Sequence, residues 1–291
     1  MTHRAGFVSI VGKPNAGKST LMNALVGEKM SIITAKAQTT RHRILGIVND
    51  ENYQIVFSDT PGIIKPRYAL HESMMHQVEG SIVDADLILL VTDIYEEYDE
   101  TDVLKKLEGS STPIAVLINK IDQSDEETVK QKIAFWEEKL NPGAIFAISA
   151  LHQHNIKAVM DFVTGNLPEH PAYYEKDALT DRNDRFFASE MIRAQILKQY
   201  KKEIPYSAEV IITAFIEGEQ LYRISAEIIV ERESQKNILI GKGGEMLKIV
   251  GTYARRDMED FFQRKIFLEM FVKVIPDWRS KKSYLKQFGY E

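Results

Sequence analysis

The chain has 291 residues, which is long for a single hydrophobic core and favours two domains. Hydrophobic residues make up 44% and charged residues 27%, as in ordinary water-soluble proteins, and the lack of cysteine excludes disulfides and thiolate metal sites. No apolar run is long enough to span a membrane and no secretory signal opens the chain, so we expect a cytoplasmic protein.

The net charge of −5 is unevenly distributed along the chain. Residues 1–184 carry 18 basic and 27 acidic side chains, a balance of −9. Residues 185–291 carry 19 basic and 15 acidic side chains, a balance of +4. An asymmetry of this kind favours a nucleic acid or a membrane surface as the partner of the basic half.

The first part of the chain alternates short apolar runs with helical stretches. Runs such as Leu87–Val91 are apolar on both faces, which is typical of parallel strands covered by helices. Residues 1–167 are therefore predicted to form an α/β domain with a doubly wound, mostly parallel sheet. The predicted strands are Phe7–Val11, Arg43–Val48, Gln54–Phe57, Asp86–Val91, Pro113–Ile118 and Ala144–Ile148. The predicted helices are Ser19–Val26, Leu70–Ile82, Asp102–Leu107, Glu126–Leu140 and Asn155–Leu167.

An octapeptide of the pattern G-x-x-x-x-G-K-S lies between the first predicted strand and the first predicted helix. This setting is the one that a phosphate-binding loop requires, because its glycines let backbone N–H groups turn toward a polyphosphate at a helix N-terminus. We expect Lys18 to reach the β- and γ-phosphates and Ser19 to hold Mg²⁺. The predicted phosphate-binding residues are Gly12, Lys13, Pro14, Asn15, Ala16, Gly17, Lys18, Ser19 and Thr20.

Two further segments are predicted to sense the γ-phosphate. Asp59, after the third strand, can hold Mg²⁺ through water, and the glycine of Asp59-Thr60-Pro61-Gly62 can sense the phosphate. One of two neighbouring threonines should also reach Mg²⁺; spacing alone does not separate them, and Thr39 is preferred. The predicted switch residues are Thr39, Thr40, Asp59, Thr60, Pro61, Gly62 and Ile63, and the predicted magnesium ligands are Ser19, Thr39 and Asp59.

The sequence Asn119-Lys120-Ile121-Asp122 ends the fifth strand and predicts the base. A carboxylate at Asp122 can accept hydrogen bonds from guanine N1–H and the N2 amino group, a pair that adenine lacks. The predicted guanine-binding residues are Asn119, Lys120, Asp122, Ser149, Ala150 and Leu151. Together these motifs predict a GTP site and disfavour an ATP-dependent kinase.

The expected hydrolysis chemistry departs from that of many small GTPases. A glutamine that orients the attacking water often follows D-x-x-G, but Ile63 stands here and cannot hydrogen-bond water. Catalysis must then use backbone groups, a bound ion or a partner. Asn15 could hold K⁺ near the phosphates, or it could be a simple turn residue, since asparagine favours tight loops.

Residues 168–184 are rich in proline and aspartate and are predicted to link the first domain to a second one over residues 185–291. The second part predicts a helix at Phe187–Tyr200, strands at Val210–Ile216, Leu221–Val230 and Ile266–Val274, and two helices around a G-x-x-G loop. This order is the layout of a type II KH domain, whose loop clamps single-stranded RNA. The predicted RNA-binding residues are Gly241, Lys242, Gly243 and Gly244. The aromatic residues Phe261, Phe262, Phe267 and Phe271 are predicted to belong to the core.

These motifs together resemble the Era family of bacterial GTPases over nearly the whole chain. The resemblance rests on Gly12–Ser19, Gln38-Thr39-Thr40-Arg41, Asp59–Ile63, Asn119–Asp122, Ser149–Leu151, Leu179–Phe186, Ser189–Arg193 and Ile240–Gly244. It implies a slow GTPase that binds 16S rRNA near its 3′ end and acts in maturation of the small (30S) ribosomal subunit. It also implies a cytoplasmic protein, expected as a monomer, with some association with the inner face of the cell membrane.

One alternative from a different class stays open at this point. The second domain could be a docking module for a protein partner, so that the GTPase never contacts RNA. The basic balance of residues 185–291 and the lysine inside G-x-x-G favour RNA.

Overall fold

A computed structural model describes residues 3–34, 36–97, 105, 107 and 110–290. The chain divides into two compact units. The first comprises the described residues up to Arg67 together with His71–Asp181, and the second comprises Tyr68–Leu70 and the chain from Arg182 onward. Most of the predicted helix Asp102–Leu107 lies outside the described residues. Within the described part, no helix combines the length and the apolar character that crossing a membrane requires.

The first unit is built on a six-stranded sheet with the strand order β2-β3-β1-β4-β5-β6. All neighbouring strands are parallel except β2, which pairs antiparallel with β3 at one edge, so the predicted α/β fold is confirmed. Its strands are β1 (Arg4–Val11), β2 (Ile44–Asn49), β3 (Tyr53–Asp59), β4 (Leu87–Asp93), β5 (Ile114–Asn119) and β6 (Ala144–Ala147). Its helices are α1 (Lys18–Val26), α2 (Ala69–Val83), α3 (Glu126–Leu140) and α4 (Ile156–Asn166).

Burial of the central strands holds this sheet together. The six residues from Leu87 to Thr92 in β4 are all buried, as are all six residues of β5. Helices α1 and α4 contribute to one core cluster with β1, β3, β4 and β5. Because parallel strands point the same way, the loops that follow β1, β3 and β5 gather at one edge of the sheet, where ligands bind in folds of this kind.

The segment predicted as a linker is attached to the first unit for most of its length. The Ile47 N–H of edge strand β2 donates to the Leu179 carbonyl at 2.9 Å. The fully buried side chain of Gln54 accepts from the Tyr173 and Tyr174 N–H groups at 2.7 and 2.9 Å and donates to the Tyr174 carbonyl. These bonds attach the segment to β2 and β3, and the chain up to Asp181 belongs to the first unit.

The second unit places three helices on one face of a three-stranded sheet. Strand β8 pairs antiparallel with β7 and parallel with β9, and the predicted type II KH fold is confirmed. Its strands are β7 (Glu209–Ile216), β8 (Leu221–Val230) and β9 (Lys265–Val274). Its helices are α5 (Asp184–Gln199), α6 (Ile204–Ser207), α7 (Glu233–Ile240), α8 (Glu245–Phe262) and α9 (Lys282–Gln287). Trp278, beyond β9, is fully buried and donates to the Ser207 carbonyl at 3.0 Å.

Strand β9 alternates between a covered and an open face, and the prediction that its two phenylalanines belong to the core was wrong. Ile266, Leu268 and Met270 pack against the helices, as their shared face predicts. Phe267 and Phe271 point the other way and are 45% and 61% exposed, so they do not belong to the core. The prediction rested on aromatic character, which does not tell whether a second layer covers the face on which a side chain lies.

Candidate functional site

The loop between β1 and α1 has a backbone that requires its two outer glycines. Gly12 has a φ of 151°, and a Cβ there would lie 2.1 Å from the Val91 carbonyl oxygen. Gly17 has a φ of 99°, and a Cβ there would lie 2.1 Å from the Asn119 Nδ2. The loop is thus held closely between β4 and the end of β5, and α1 begins at Lys18 directly behind it.

Lys18 is buried, and its ammonium group is aimed by the loop itself. The Nζ atom donates to the Lys13 carbonyl at 2.8 Å. Burial lowers the pKa of Lys18 from 10.5 to about 8, against the opposing effect of the Asp59 and Glu96 carboxylates. A phosphate placed in the loop would favour the charged form, because an opposite charge nearby raises the pKa of an amine.

Three oxygen ligands of the kind that Mg²⁺ prefers meet beside Lys18. The Ser19 hydroxyl donates to Asp59 Oδ2 at 2.7 Å, and it lies 2.9 Å from the Thr40 hydroxyl. Asp59 has no exposed surface, its burial raises its pKa, and its Oδ1 makes no hydrogen bond with any described residue. A buried carboxylate oxygen left over beside two hydroxyls fits a magnesium ion.

Thr40 lies beside Ser19 and Asp59, whereas Thr39 was the predicted magnesium ligand. The Thr39 hydroxyl donates to the Lys36 carbonyl at 2.7 Å and lies 2.6 Å from the Thr34 hydroxyl. The two threonines are adjacent, so the local turn of the backbone decides which one faces Ser19. Gln38, just before them, has a left-handed φ of 58°, a detail that residue spacing does not reveal.

The segment Asp59–Ile63 lies directly on the phosphate loop. The Thr60 hydroxyl donates to the Ile10 carbonyl at 2.7 Å, and the Ile63 N–H donates to the Gly12 carbonyl at 3.0 Å. A Cβ on Gly62 would lie 2.7 Å from the backbone nitrogen of Pro14. The Ile63 side chain is 3% exposed, so it offers no polar group to water.

The Asn119 side chain connects the remaining two motifs to the phosphate loop. Its Nδ2 donates to the Ala16 carbonyl at 2.8 Å, and its Oδ1 accepts from the Ala150 N–H at 3.0 Å. The Ser149 hydroxyl donates to Asp122 Oδ1 at 2.6 Å and thereby orients that carboxylate. The predicted phosphate-binding and guanine-binding segments therefore form one connected assembly.

A cavity of about 500 Å³ lies between these motifs. A volume of this size suits a nucleotide-sized ligand. The cavity walls include Gly17–Thr20, Thr39, Thr40, Gly62, Asn119, Lys120, Asp122, Ser149 and Leu151 from the predicted set. They also include Ile32, Ile33, Thr34, Lys36, Gln38 and Gln123, which were not predicted, because loop residues outside a known motif have no periodicity that marks inward side chains.

The loop after β4 was not predicted to belong to the site, but it bonds to both the phosphate-binding and the guanine-binding loops. Asp93 pairs with Lys120 at 2.5 Å, and the Ile94 N–H donates to the Asn119 carbonyl at 3.0 Å. The Lys13 Nζ donates to the Glu97 carbonyl at 2.6 Å. This loop therefore braces the phosphate loop and the guanine loop from the same side. The strand-end position of Asp93 was the available signal.

The glycine loop of the second unit joins α7 to α8 and differs from the first in its surroundings. Gly241 has a φ of 74°, and a Cβ there would lie 2.8 Å from the Met246 Cβ. Gly243 and Gly244 have φ values of 60° and 81°, but a Cβ on either would meet nothing within 4 Å. Lys242 is exposed at the tip, so the last three residues leave room for a ligand backbone.

Exposed apolar side chains flank this loop and were not singled out from the sequence. Ile238, Ile249 and Tyr253 are 51%, 38% and 44% exposed. The Arg256 guanidinium lies 5.7 Å from the centre of the Tyr253 ring. Apolar and aromatic surfaces beside a phosphate-clamping loop are suited to contact with unstacked bases.

Two family models match the chain in agreement with these two sites. A model described as a 50S ribosome-binding GTPase matches residues 7–120, and a KH domain model matches residues 203–279. The GTPase Era of Clostridium kluyveri is 40% identical over 291 residues, with 99% of both chains covered. The GTPase Era of Syntrophus aciditrophicus is 44% identical, with 99% of this chain and 95% of that one covered.

A solved structure also matches over the full length. It has a TM-score of 0.93 and 38% sequence identity, and 99% of each chain is covered. That structure is of Era in complex with MgGDPNP and nucleotides 1506–1542 of 16S ribosomal RNA. The similarity extends through both units of the chain.

Proposed function

Because the chain belongs to the Era family of GTPases, we propose that it is a GTP-driven switch whose second unit binds single-stranded RNA near the 3′ end of 16S rRNA. The proposed role is assistance in assembly of the small (30S) ribosomal subunit. The observation that carries the proposal is the presence, in one chain, of a connected guanine nucleotide site and a glycine loop open to a phosphate backbone.

In the proposed nucleotide complex, backbone N–H groups of Gly12–Ser19 and the Lys18 ammonium hold the phosphates. Ser19, Thr40 and Asp59 would hold Mg²⁺, which supplies charge neutralisation at the β- and γ-oxygens when bound. Asp122, oriented by Ser149, accepts from the guanine N1–H and N2 groups, and the Ala150 N–H lies beside it at the strand end. Asn119, through its bond to the Ala16 carbonyl, holds the guanine-binding loop against the phosphate-binding loop.

Hydrolysis proceeds in this proposal without a side chain of Ile63, which is buried away from the cavity. Asn15 is exposed, has a left-handed φ of 66°, and lines the cavity beside the phosphate loop. We assign it to a K⁺ ion that supplies positive charge near the phosphates. If so, turnover should rise several-fold on exchange of Na⁺ for K⁺ in the native chain and lose that dependence in Asn15→Ala.

The proposed RNA contact uses Gly241, Lys242, Gly243 and Gly244. The bare faces of Gly243 and Gly244 would admit phosphates closely, and Lys242 would add charge. The relative's structure contains nucleotides 1506–1542 of 16S rRNA, which supports the choice of RNA.

The decisive experiment uses two variants of the full chain that have nearly the same shape. Gly243→Asp and Gly243→Asn both tolerate a left-handed φ, but only aspartate repels phosphate. We expect Gly243→Asp to abolish binding of an RNA spanning nucleotides 1506–1542, and Gly243→Asn to weaken it less. RNA affinity should also differ between GDP and a GTP analogue. If both variants bound the RNA as well as the native chain does, the glycine loop would not be the RNA contact, and if the native chain itself did not bind the RNA, the second unit would be a protein-docking module.

We further propose a cytoplasmic location, a monomeric state, and a peripheral contact with the inner face of the cell membrane. These assignments rest on the family and not on any feature of the fold. Fractionation of cells into soluble, ribosomal and membrane pools would test the location. Light scattering of the purified chain at micromolar concentration would test the monomeric state.

A further inference from the structure

The sheet of the second unit has one face that the helices leave uncovered. Helices α5, α7 and α8 pack on the face formed by Ile224, Ile228 and Ile266. On the opposite face, Phe267 and Phe271 stand 45% and 61% exposed on the edge strand β9. They are four residues apart on one strand, so their rings are spaced by about 13 Å, at ~3.3 Å per residue.

From this arrangement we propose that the open sheet face is a second binding surface for single-stranded RNA, in which bases stack on Phe267 and Phe271. The inference rests on the proposed RNA-binding function and extends it to a new surface. It concerns the nucleotides that flank those clamped at Gly241–Gly244.

The composition of the face fits a nucleic acid. The Arg223 guanidinium lies over Phe267, 5.4 Å from the ring centre, and Arg223 makes no ion pair with a described residue. The two carboxylates of the face are already engaged, since Glu227 lies 3.5 Å from the Lys273 Nζ and Glu269 accepts from the Ser225 hydroxyl at 3.3 Å. A cation stacked on an exposed ring is a platform on which a base and its phosphate can both be bound.

The same face is less suited to the centre of a protein interface. Such a centre needs a contiguous apolar patch with few charges. Here Glu269 stands between the two phenylalanines and Glu227 lies opposite Phe271 in the strand register. Charged side chains therefore separate the two rings from each other, which suits bases that are splayed apart, and the exposed side chains of Ile216 and Leu221 add apolar surface only at the Phe267 end of the face.

The open face is also continuous with the proposed RNA clamp. Helix α8 begins at Glu245, directly after the glycine loop, and packs on the inner side of β9. Strand β9 lies at the edge of the sheet, so only its width separates the helical face from the open face. A KH loop clamps about four nucleotides, and a longer strand that leaves the clamp can pass around β9 onto Phe267 and Phe271.

The test compares Phe267→Leu and Phe271→Leu in the full chain with Phe135→Leu, a partly exposed phenylalanine on α3 of the first unit. Leucine keeps an apolar side chain but removes the aromatic face. With an RNA spanning nucleotides 1506–1542, each sheet variant should lose about fivefold or more in affinity, the lower end of one stacked base. With an RNA of about four nucleotides, the length of the clamp, the same variants should bind like the native chain.

Two measurements make the outcome decisive. Ultraviolet crosslinking should place the longer RNA on the peptide that contains Phe267 and Phe271, and GTP hydrolysis should be unchanged in all three variants. If both sheet variants bind the longer RNA as the native chain does while Gly243→Asp does not, the second surface is refuted and the proposed function stands. If Gly243→Asp also binds the longer RNA normally, the proposed RNA contact at Gly241–Gly244 fails, and if the native chain does not bind this RNA, the RNA-binding function itself fails. If the two sheet variants lost binding to a protein partner while their RNA binding stayed intact, the open face would be a protein-binding surface and the proposal would be wrong.

Discussion

The chain contains two glycine loops that each precede a helix, and they differ in what surrounds them. In the loop Gly12–Ser19, a side-chain atom on Gly12 or Gly17 would collide with the protein itself. In the loop Gly241–Gly244, only Gly241 is confined by a neighbour, and Gly243 and Gly244 face open space. In the first loop the glycines are therefore required by neighbouring protein atoms. In the second loop Gly243 and Gly244 leave space that a ligand can occupy.

The largest effect is expected from a substitution that changes recognition of the guanine base at Asp122. In Asp122→Asn the amide NH2 group, a donor, faces the 2-amino donor of guanine but can donate to the 2-oxo group of xanthine, so the preference for GTP over xanthosine triphosphate should fall by roughly 10³-fold or more. Competition for a fluorescent nucleotide measures it. Ser149→Ala, which removes only the hydroxyl that orients Asp122, should cause a much smaller change. Full retention of GTP preference in Asp122→Asn would contradict the guanine assignment.

The next prediction compares the same substitution in the two loops. Gly17→Ala must displace the buried Asn119 amide and strain a φ of 99°, which together should cost on the order of 3 kcal/mol. Gly243→Ala meets no neighbour and should cost only the left-handed strain, about 1 kcal/mol.

Thermal unfolding and GDP binding would be measured on both variants. Gly165→Ala, within α4 and with nothing near its Cβ, is the matched control and should be neutral or slightly stabilising. If Gly17→Ala and Gly243→Ala lowered the free energy of unfolding equally, the proposed difference between the two loops would be wrong.

A smaller effect is expected from pH, and it follows from burial in the first loop. The pKa of Lys18 is lowered to about 8 without nucleotide, and bound phosphates should raise it. Phosphate binding requires the charged form, so GDP affinity should be constant below pH 8 and fall about tenfold per unit above it. Calorimetry between pH 7 and 10 measures this. Guanosine, which lacks phosphates, should show no such slope from Lys18.

The smallest predicted effect concerns the exposed tip of the second loop. Lys242 is exposed, so Lys242→Ala should leave stability unchanged and weaken RNA binding a few-fold. It should also reduce the slope of log affinity against log salt by about 0.7, the contribution of one phosphate contact in a single strand. Lys130→Ala, an exposed lysine on α3, is the control. An unchanged salt slope in Lys242→Ala would argue against a phosphate contact at this position.

The sequence was sufficient for features that depend on strand ends and spacing. The parallel strands bring the loops at Gly12, Asp59 and Asn119 to one edge, as their positions after apolar runs predict. It was insufficient where one turn of backbone decides an orientation, as for Thr39 and Thr40. Both threonines have the same chemistry, and the left-handed φ of Gln38 has no signature in composition.

The sequence also could not predict features that depend on which surface is covered by another segment. The polar stretch 168–184 has the composition of a free linker, yet Leu179 bonds to the edge strand β2 and Tyr174 bonds to the Gln54 side chain of β3. Phe267 and Phe271 have the composition of core residues, yet no helix of the described chain covers them. Local sequence specifies the direction of a side chain, whereas coverage depends on distant segments.

The Asn119 amide uses both of its ends to connect segments that are more than a hundred residues apart in the chain, from Ala16 to Ala150. A ligand that occupies only the base half or only the phosphate half of the cavity must therefore order all of these connected segments while it makes only half of the contacts. An intact nucleotide fixes it once and gains the contacts of both halves. GTP should consequently bind far more tightly than the product of the affinities of guanosine and triphosphate would indicate, an intramolecular advantage of joined fragments.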